Sequence, residues 1–321
     1  MIIRRALVGA VLALPLAVLA ACTSGGPGIA PAGGSPGASP TAPAGASPPV
    51  SAPAPAAAVA IPTCGPVSIP PFRAADFPHP TTIDNRWFPL VPGSQVVLEG
   101  RANRGGGVLP HQIVSTVTDL IKVINGVPTV VVWEVDRDQG TLVESELAFF
   151  AQDRDGNVWN FGQYPELYTG GLFTGAPKTW LAGVAGANAG VLVRGRPQPG
   201  SVEFLQGDAP DVDFLDCAKE VKTSERTCVP TGCYNDVLVV DERSGEDPAS
   251  GVQRKYYAPG VGGVRVEAIG DPEAETLVLV RVLAPDLATL TQARQEALAL
   301  EKHAYQISPV YRQSPPAQPR Q

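Results

Sequence analysis

From residue 94 onward the chain runs in short apolar or alternating stretches, each closed by Gly, Pro, Asn or Asp. "SQVVLEG" (94–100), "HQIVSTVTDLIKVI" (111–124) and "PTVVVWEVD" (128–136) read as strands. Asn125-Gly126 between the last two is a hairpin signal, because both residues tolerate the positive φ of a type I′ turn. Val131, Trp133 and Val135 fall on one face at the two-residue period of a strand. "TLVESELAFFAQD" (141–153) meets "GNVWNFG" (156–162) across Asp155-Gly156, a second hairpin signal. "GVLVRG" (190–195), "CAKEVKTSERT" (217–227), "YNDVLVVDE" (234–242), "GVQRKYYAPG" (251–260), "GGVRVEAIG" (262–270) and "ETLVLVRVL" (275–283) complete the series.

About eleven strands joined by short turns predict an antiparallel meander. Strongly twisted open sheets rarely exceed ~10 strands without curling. The expected fold is therefore mainly β: a curved antiparallel meander sheet or half-barrel of about 11 strands with a C-terminal helix. "TLVLVRVL" is apolar at both parities, which predicts a strand covered on both faces. Leu287, Leu290, Ala293, Ala297 and Leu300 recur at helical spacing and predict a helix over 286–305. It could fill the concave face of the sheet or cap one edge, and both readings stand. The stretch 306–321, rich in Pro and Gln, is expected to be disordered.

The first sixty residues follow another pattern. Arg4 and Arg5 precede an apolar run, Ala6–Ala21, too short for the roughly 20 residues of a spanning helix. That is the shape of a secretory signal peptide over 1–21. Its end, Leu19-Ala20-Ala21-Cys22, resembles the lipobox of bacterial lipoproteins. The resemblance implies diacylglyceryl attachment at the Cys22 thiol and cleavage before it. Residues 22–62 carry Gly, Ala, Ser and Pro and no charge. Such a segment cannot bury enough apolar surface to offset its ordering entropy and is expected to be a disordered tether. It would reach roughly 120 Å as extended polyproline II and about 35 Å as a coil. The folded domain is then expected at 63–285, on the extracytoplasmic face of the cell membrane.

Charge and cysteines sharpen this picture. The net charge of −7 becomes −9 once Arg4 and Arg5 are removed. An acidic domain offers neither the cationic patch that nucleic acid requires nor one that holds anionic lipid. Anchoring is thus assigned to the lipid, whose two acyl chains suffice where one is marginal. Besides Cys22 there are Cys64, Cys217, Cys228 and Cys233. Export favours two disulfides, with three connectivities open. The turn "CVPTGC" favours Cys228–Cys233, leaving Cys64–Cys217. The latter would close a loop of about 150 residues, worth around 4–5 kcal/mol in the chain-entropy account. His79, His111 and His303 are scattered, so no metal site and no cofactor is expected.

"TTIDNRWFPLVPGSQVVLEG", "FFAQDRDGNVWNFG", "WLAGVAGANAGVLV" and "RKYYAPGVGGVRVE" together resemble a family of uncharacterised secreted bacterial proteins and lipoproteins. There the pattern runs D-N-x-x-F-P-L-x-P-G near the start and Y-Y-A-P-G-V-G near the end. The likeness spans about residues 80–285 and implies no defined activity. The cysteine cluster and the C-terminal helix depart from it. The Tyr-rich hairpin is also loosely similar to curved-sheet envelope proteins that carry lipids or lipoproteins, an architectural analogy that does not fix function.

Little reads as chemistry. "GGSPG" (33–37) matches a nucleophile pattern but has neither the strand before it nor the helix after it that the pattern needs. Asp153, Asp155 and Asn157 have the makings of a calcium loop, yet a β-turn explains them with fewer ligands. Asp84 and Asn85 are expected to shape the entry to the first strand, with Trp87 and Phe88 in the core. Of Tyr256 and Tyr257 only one can face inward. Glu144 and Glu146 share a strand face; paired carboxylates can hydrolyse glycosides, but a solvated face accounts for them. His111 has no visible triad partner. No catalytic residue is assigned. Three functions stay open: a binding module for an apolar or envelope-derived small molecule, a structural domain docking an envelope protein, and a hydrolase whose site is not readable.

Replacing Cys22 with Ala is expected to abolish palmitate labelling and release the protein from the membrane fraction. Labelling that persists in the variant would sink the assignment.

Overall fold

The computed structural model describes residues 64–65, 67–68 and 71–320. Cys22, the signal peptide and the tether lie outside the described residues. The chain forms β1 (Val67–Ser68), β2 (Gln95–Asn103), β3 (Val108–Ile124), β4 (Val127–Asp138), β5 (Thr141–Gln152) and β6 (Val158–Thr169). There follow β7 (Leu172–Gly175), β8 (Trp180–Leu181), β9 (Asn188–Val193), β10 (Glu203–Ala209) and β11 (Phe214–Val229). After these come β12 (Gly232–Ser244), β13 (Val252–Ala258), β14 (Gly262–Ile269) and β15 (Thr276–Leu283). Helix α1 (Leu287–Ile307) and a terminal β16 (Gln318–Pro319) complete the chain.

The fold is mainly β, one large and almost wholly antiparallel sheet, as the strand pattern implies. Turn chemistry sets its register. Asn125 and Gly126 both take positive φ between β3 and β4, and Gln139 and Gly140 do so between β4 and β5. Strands β10 through β15 run in order, β15 pairs with β2, and β2 through β6 follow. Then β9 pairs with β6 along one edge and β10 along the other, so the sheet returns on itself as a ring. Gly190 permits that seam: a Cβ there would lie 2.4 Å from the Gln206 carbonyl carbon. Bulges interrupt several pairings, so the ring is not a regular barrel.

Strand parity separates the faces. Val132 and Glu134 point into the ring, whereas Trp133 and Val135 face α1. The helix therefore lies outside the ring, against β3, β4 and β5. It does not plug the concave face. Asp286 caps its N-terminus, its carboxylate accepting the amides of Ala288 and Thr289. Ala293, Ala297, Leu300, Glu301 and Ala304 form the buried face, while Leu287 is 77 % exposed despite its place in the apolar spacing.

One buried cation holds helix and tail to the sheet. Lys122, fully buried in β3, donates to Glu301 Oε1 (2.9 Å), Tyr305 Oη (3.1 Å) and the Pro315 carbonyl (2.9 Å). Its Nζ sits 4.1 Å from the Tyr311 ring centroid. Glu301 in turn accepts the Tyr311 hydroxyl and the Ala317 amide. The expectation of a disordered 306–321 is thereby corrected: residues 308–320 pack on β3, and β16 pairs with it. A second correction concerns "TLVLVRVL". Leu277 and Leu279 are buried on the inner face, but Val278 and Val280 on the other are only half-buried, so the outer face of this strand is not fully covered.

The structure pairs Cys64 with Cys217, their Cα atoms 5.9 Å apart, and Cys228 with Cys233 across the β11–β12 hairpin.

Lys122→Met should destabilise the protein by about 3–5 kcal/mol, because Glu301 is left buried without its cation. Urea melts check this; a change below about 1 kcal/mol would mean that the tail holds without the ion pair.

Candidate functional site

Two segments far apart in sequence meet at the mouth of the ring. The first is the loop before β2. Asn85 shapes it, its Oδ1 accepting the amides of Trp87 and Phe88 and its Nδ2 donating to the Gly156 carbonyl. Trp87 is buried, and Phe88 half-buried, so the two aromatics are not equally part of the core. The second segment is the β13–β14 turn, "YYAPGVGG". The Gly260 amide donates to the Arg86 carbonyl at 2.7 Å, tying turn to loop. Phe88 meets Tyr257 edge-on, their centroids 6.2 Å apart.

Between them opens a cavity of about 360 Å³. Its mouth is apolar: Phe88, Leu90, Val91, Val261, Val282 and Leu283. Val96, Leu98, Val117, Val132 and Val266 form the walls. The floor is polar, built from Ser115, Glu134, Lys255 and Tyr257. The Ser115 hydroxyl donates to Glu134, Lys255 pairs with Glu242, and the Tyr257 hydroxyl donates to Glu242 at 3.0 Å. Of the tyrosine pair it is Tyr257 that faces inward, buried, while Tyr256 stays half-exposed and donates to Glu267.

Beneath the floor lies a buried ionisable layer that no local pattern announced. Glu144 and Glu146 belong to it. They are 6 % and 2 % exposed, so the expected solvated face is corrected: β5 is flanked on both sides and its inner face is enclosed by the ring. Across from them stand Glu134 and Asp136 of β4. Burial, then the Glu144 and Glu134 charges, raise the Asp136 carboxyl to about 8, outweighing Arg104 3.9 Å away. Burial and the same kind of repulsion push Glu146 well above the carboxylate range. Glu146 Oε1 has no hydrogen-bond partner among the described residues.

His111 is also here. Its Nδ1 lies 2.7 Å from Asp138 Oδ1 and its Nε2 3.2 Å from Glu275 Oε1. Burial lowers its basicity, but the bonds to Asp138 and Glu275 prevail and raise it to about 9. Burial alone would raise Glu275, yet His111 and Arg104 hold it below its ordinary range. With both ring nitrogens facing carboxylates, His111 is a structural cation here rather than a base poised for a nucleophile. No group of described residues could hold a metal ion.

The remaining candidates are structural. Asp153 closes a turn: its Oδ1 accepts the Asp155 and Asn157 amides, and its Oδ2 the Trp159 indole. That geometry satisfies the carboxylate within the chain. Asp84 accepts from the Gln152 side chain. His79 is exposed. His303 binds Glu166 at 2.6 Å on the outer face, beside a groove between α1 and β4–β6.

No known family model matches the sequence, and no curated protein matches it. Two crystal structures are distantly similar. One is a candidate exported protein of Bacteroides fragilis with a YmcC-like fold: 16 % identity, 62 % of this chain against 100 % of that one, TM-score 0.36. The other is a candidate lipoprotein of Parabacteroides distasonis: 17 % identity, 62 % against 99 %, TM-score 0.29. Among the described residues no helix is long and apolar enough to cross a membrane.

The buried layer makes stability fall as pH rises. Folded Asp136 keeps a proton that the unfolded chain loses above about 4, so the native state binds more protons from roughly pH 4 to 8. His111 extends the fall from its unfolded value near 6.5 to about 9. Glu275 acts oppositely, and only at the acid end. The melting temperature should drop by about 5 °C or more between pH 6 and 9. Asp136→Asn, which mimics the protonated acid, should flatten the part below pH 8. A wild-type curve that rises over this range contradicts the assignment.

Proposed function

We propose that this is a lipid-anchored extracytoplasmic lipoprotein that binds an apolar, envelope-derived ligand inside its ring. The anchor rests on the lipobox at Cys22 and the uncharged segment behind it. The binding reading rests on one observation. The "FPLVPG" and "APGVGG" segments converge on a single cavity whose mouth and walls are apolar and whose floor is polar. Its volume lies at the lower end of the range for small-molecule sites. A single-chain amphiphile suits that polarity, its chain against Val96, Leu98 and Val132 and its polar end within reach of Ser115, Lys255 and Tyr257. Helix α1 lies outside the ring and does not compete for the space.

A hydrolase is the weaker reading. Glu134, Lys255 and His111 each engage a partner within the fold, and among the described residues no hydroxyl or thiol is seen beside a free base. A domain docking a protein partner would be favoured by a flat exposed face, whereas the apolar side chains of the cavity walls face inward.

The test is displacement of a dansylated fatty acid from the purified domain, with native mass spectrometry for a co-purified lipid. Val96 is half-buried on the cavity wall, so Val96→Trp should occupy the space without emptying the core. Affinity is expected to fall at least about tenfold, a change of ~1.4 kcal/mol. Unchanged affinity in a folded Val96→Trp variant, or no binding by the wild type, would overturn the reading.

A further inference from the structure

The cavity mouth carries more exposed apolar surface than its closure requires. Val91 is 51 % exposed, Val282 47 % and Leu287 77 %. Val91 and Val282 line the mouth together, with Leu283 and Pro285 beside them. Leu287 joins the same rim, since Gly93 packs against Asp286, a Cβ on that glycine lying 3.3 Å from its carbonyl. Three elements thus present apolar side chains outward around one opening. Exposed branched side chains on a loop, a strand end and a helix start do nothing for the ring beneath them. Contiguous patches of this kind mark interaction sites.

We infer that this collar is a membrane-docking surface, so that the ring mouth rests on the lipid bilayer. Two observations select a bilayer over a protein partner. The uncharged segment 23–63 joins Cys22 to the fold at Cys64, which sits beside Cys217 and Arg243 at the end of β12 away from the mouth. Its reach of roughly 120 Å when extended, about 35 Å on average as a coil, lets the collar turn onto the bilayer that holds the anchoring lipid. Docking then becomes intramolecular, and a local lipid concentration in the millimolar range makes even a three-residue contact sufficient. Charge agrees. Arg281, next to Val282, is exposed and has no ion-pair partner among the described residues, although the chain is acidic overall. Arg86 and Arg265 also lie near the mouth, paired with Asp236 and Glu267, and Asp286 caps α1 beside the rim. Shallow insertion of apolar side chains with arginines at headgroup level is how interfacial segments bind. The inference draws on the tether of the proposed anchoring but not on ligand binding.

Cys22 is the one cysteine outside the two disulfides, so the chain from residue 22 can be coupled through that thiol to a maleimide lipid in phosphatidylcholine vesicles. This supplies the anchor whether or not cells acylate the residue. Leu287→Trp places a reporter on the collar, and Leu298→Trp, 39 % exposed farther along α1, is the control. With bromines on the lipid acyl chains, the added Leu287→Trp emission should be quenched at least twofold and the added Leu298→Trp emission left unchanged. Val91→Asp with Val282→Asp should remove the quenching while the melting temperature stays within a few degrees. No quenching at 287, or equal quenching at both positions, overturns the proposal. So does cross-linking of collar to collar on the vesicle, which would assign the surface to a second copy of the chain.

Discussion

Closure of the sheet is the constraint on which the other features depend. Strand β9 supplies it with six residues, Asn188–Val193, hydrogen-bonded to β6 on one side and β10 on the other. An open sheet of this size would leave two edges of unpaired amides and carbonyls. Closing it pairs the edges and creates an inside that side chains must fill. The seam accepts no bulk: Gly190 faces the β10 backbone, and Gly207 faces the rings of Trp180 and Phe214. A side chain at either position would push β9 off one neighbour and open the interior to water.

What fills that interior follows from its width. Apolar side chains occupy one part, with Val132, Leu98 and Tyr257 around the cavity, and ionisable groups occupy the other. Glu134, Asp136, Glu144, Glu146, Glu242 and Glu275 face Arg104, His111 and Lys255 across the ring. Carboxyl groups outnumber cations in this layer, and burial makes unpaired charge costly. The imbalance is relieved by protonation, at Asp136 and Glu146. Such a layer is poor evidence for stability, since a buried ion pair often does no better than apolar packing. It does fix which end of the ring is polar. A ligand entering from the apolar mouth meets hydroxyls and charges only at depth.

The strand pattern, the turns at Asn125-Gly126 and Asp155-Gly156 and the helix after Pro285 were legible in the sequence because each is a local preference. Closure was not, since no window of residues records that β9 will meet both β6 and β10. The misread carboxylates descend from this. Glu144 and Glu146 alternate like exposed residues, and only a closed sheet buries them. Residues 306–321 look disordered by composition, but Lys122 and Glu301 hold Pro315 and Ala317 of this segment against the ring. The signal that could have found them was a lysine in the middle of the apolar run "DLIKVI", which had to acquire a partner once β3 was buried. For the cavity, the segments "FPLVPG" and "YYAPGVGG" stood out in the sequence, but nothing in either says that they touch.

Placing α1 outside the ring supports the proposed binding function over docking. A helix inside would have made the domain a solid wedge, with docking its only use. Outside, it covers Trp133 and Val135 and carries the chain's ordered C-terminal segment back across β3. The interior keeps its space, and the helix start brings Leu287 to the rim of the same opening. One element therefore leaves the cavity free and also extends the apolar surface around its mouth. An apolar molecule leaving a bilayer would cross less water on its way to Leu98 and Val132 if that rim lies against the lipid. The same exposed valines and leucine would be a solubility burden on a freely diffusing protein.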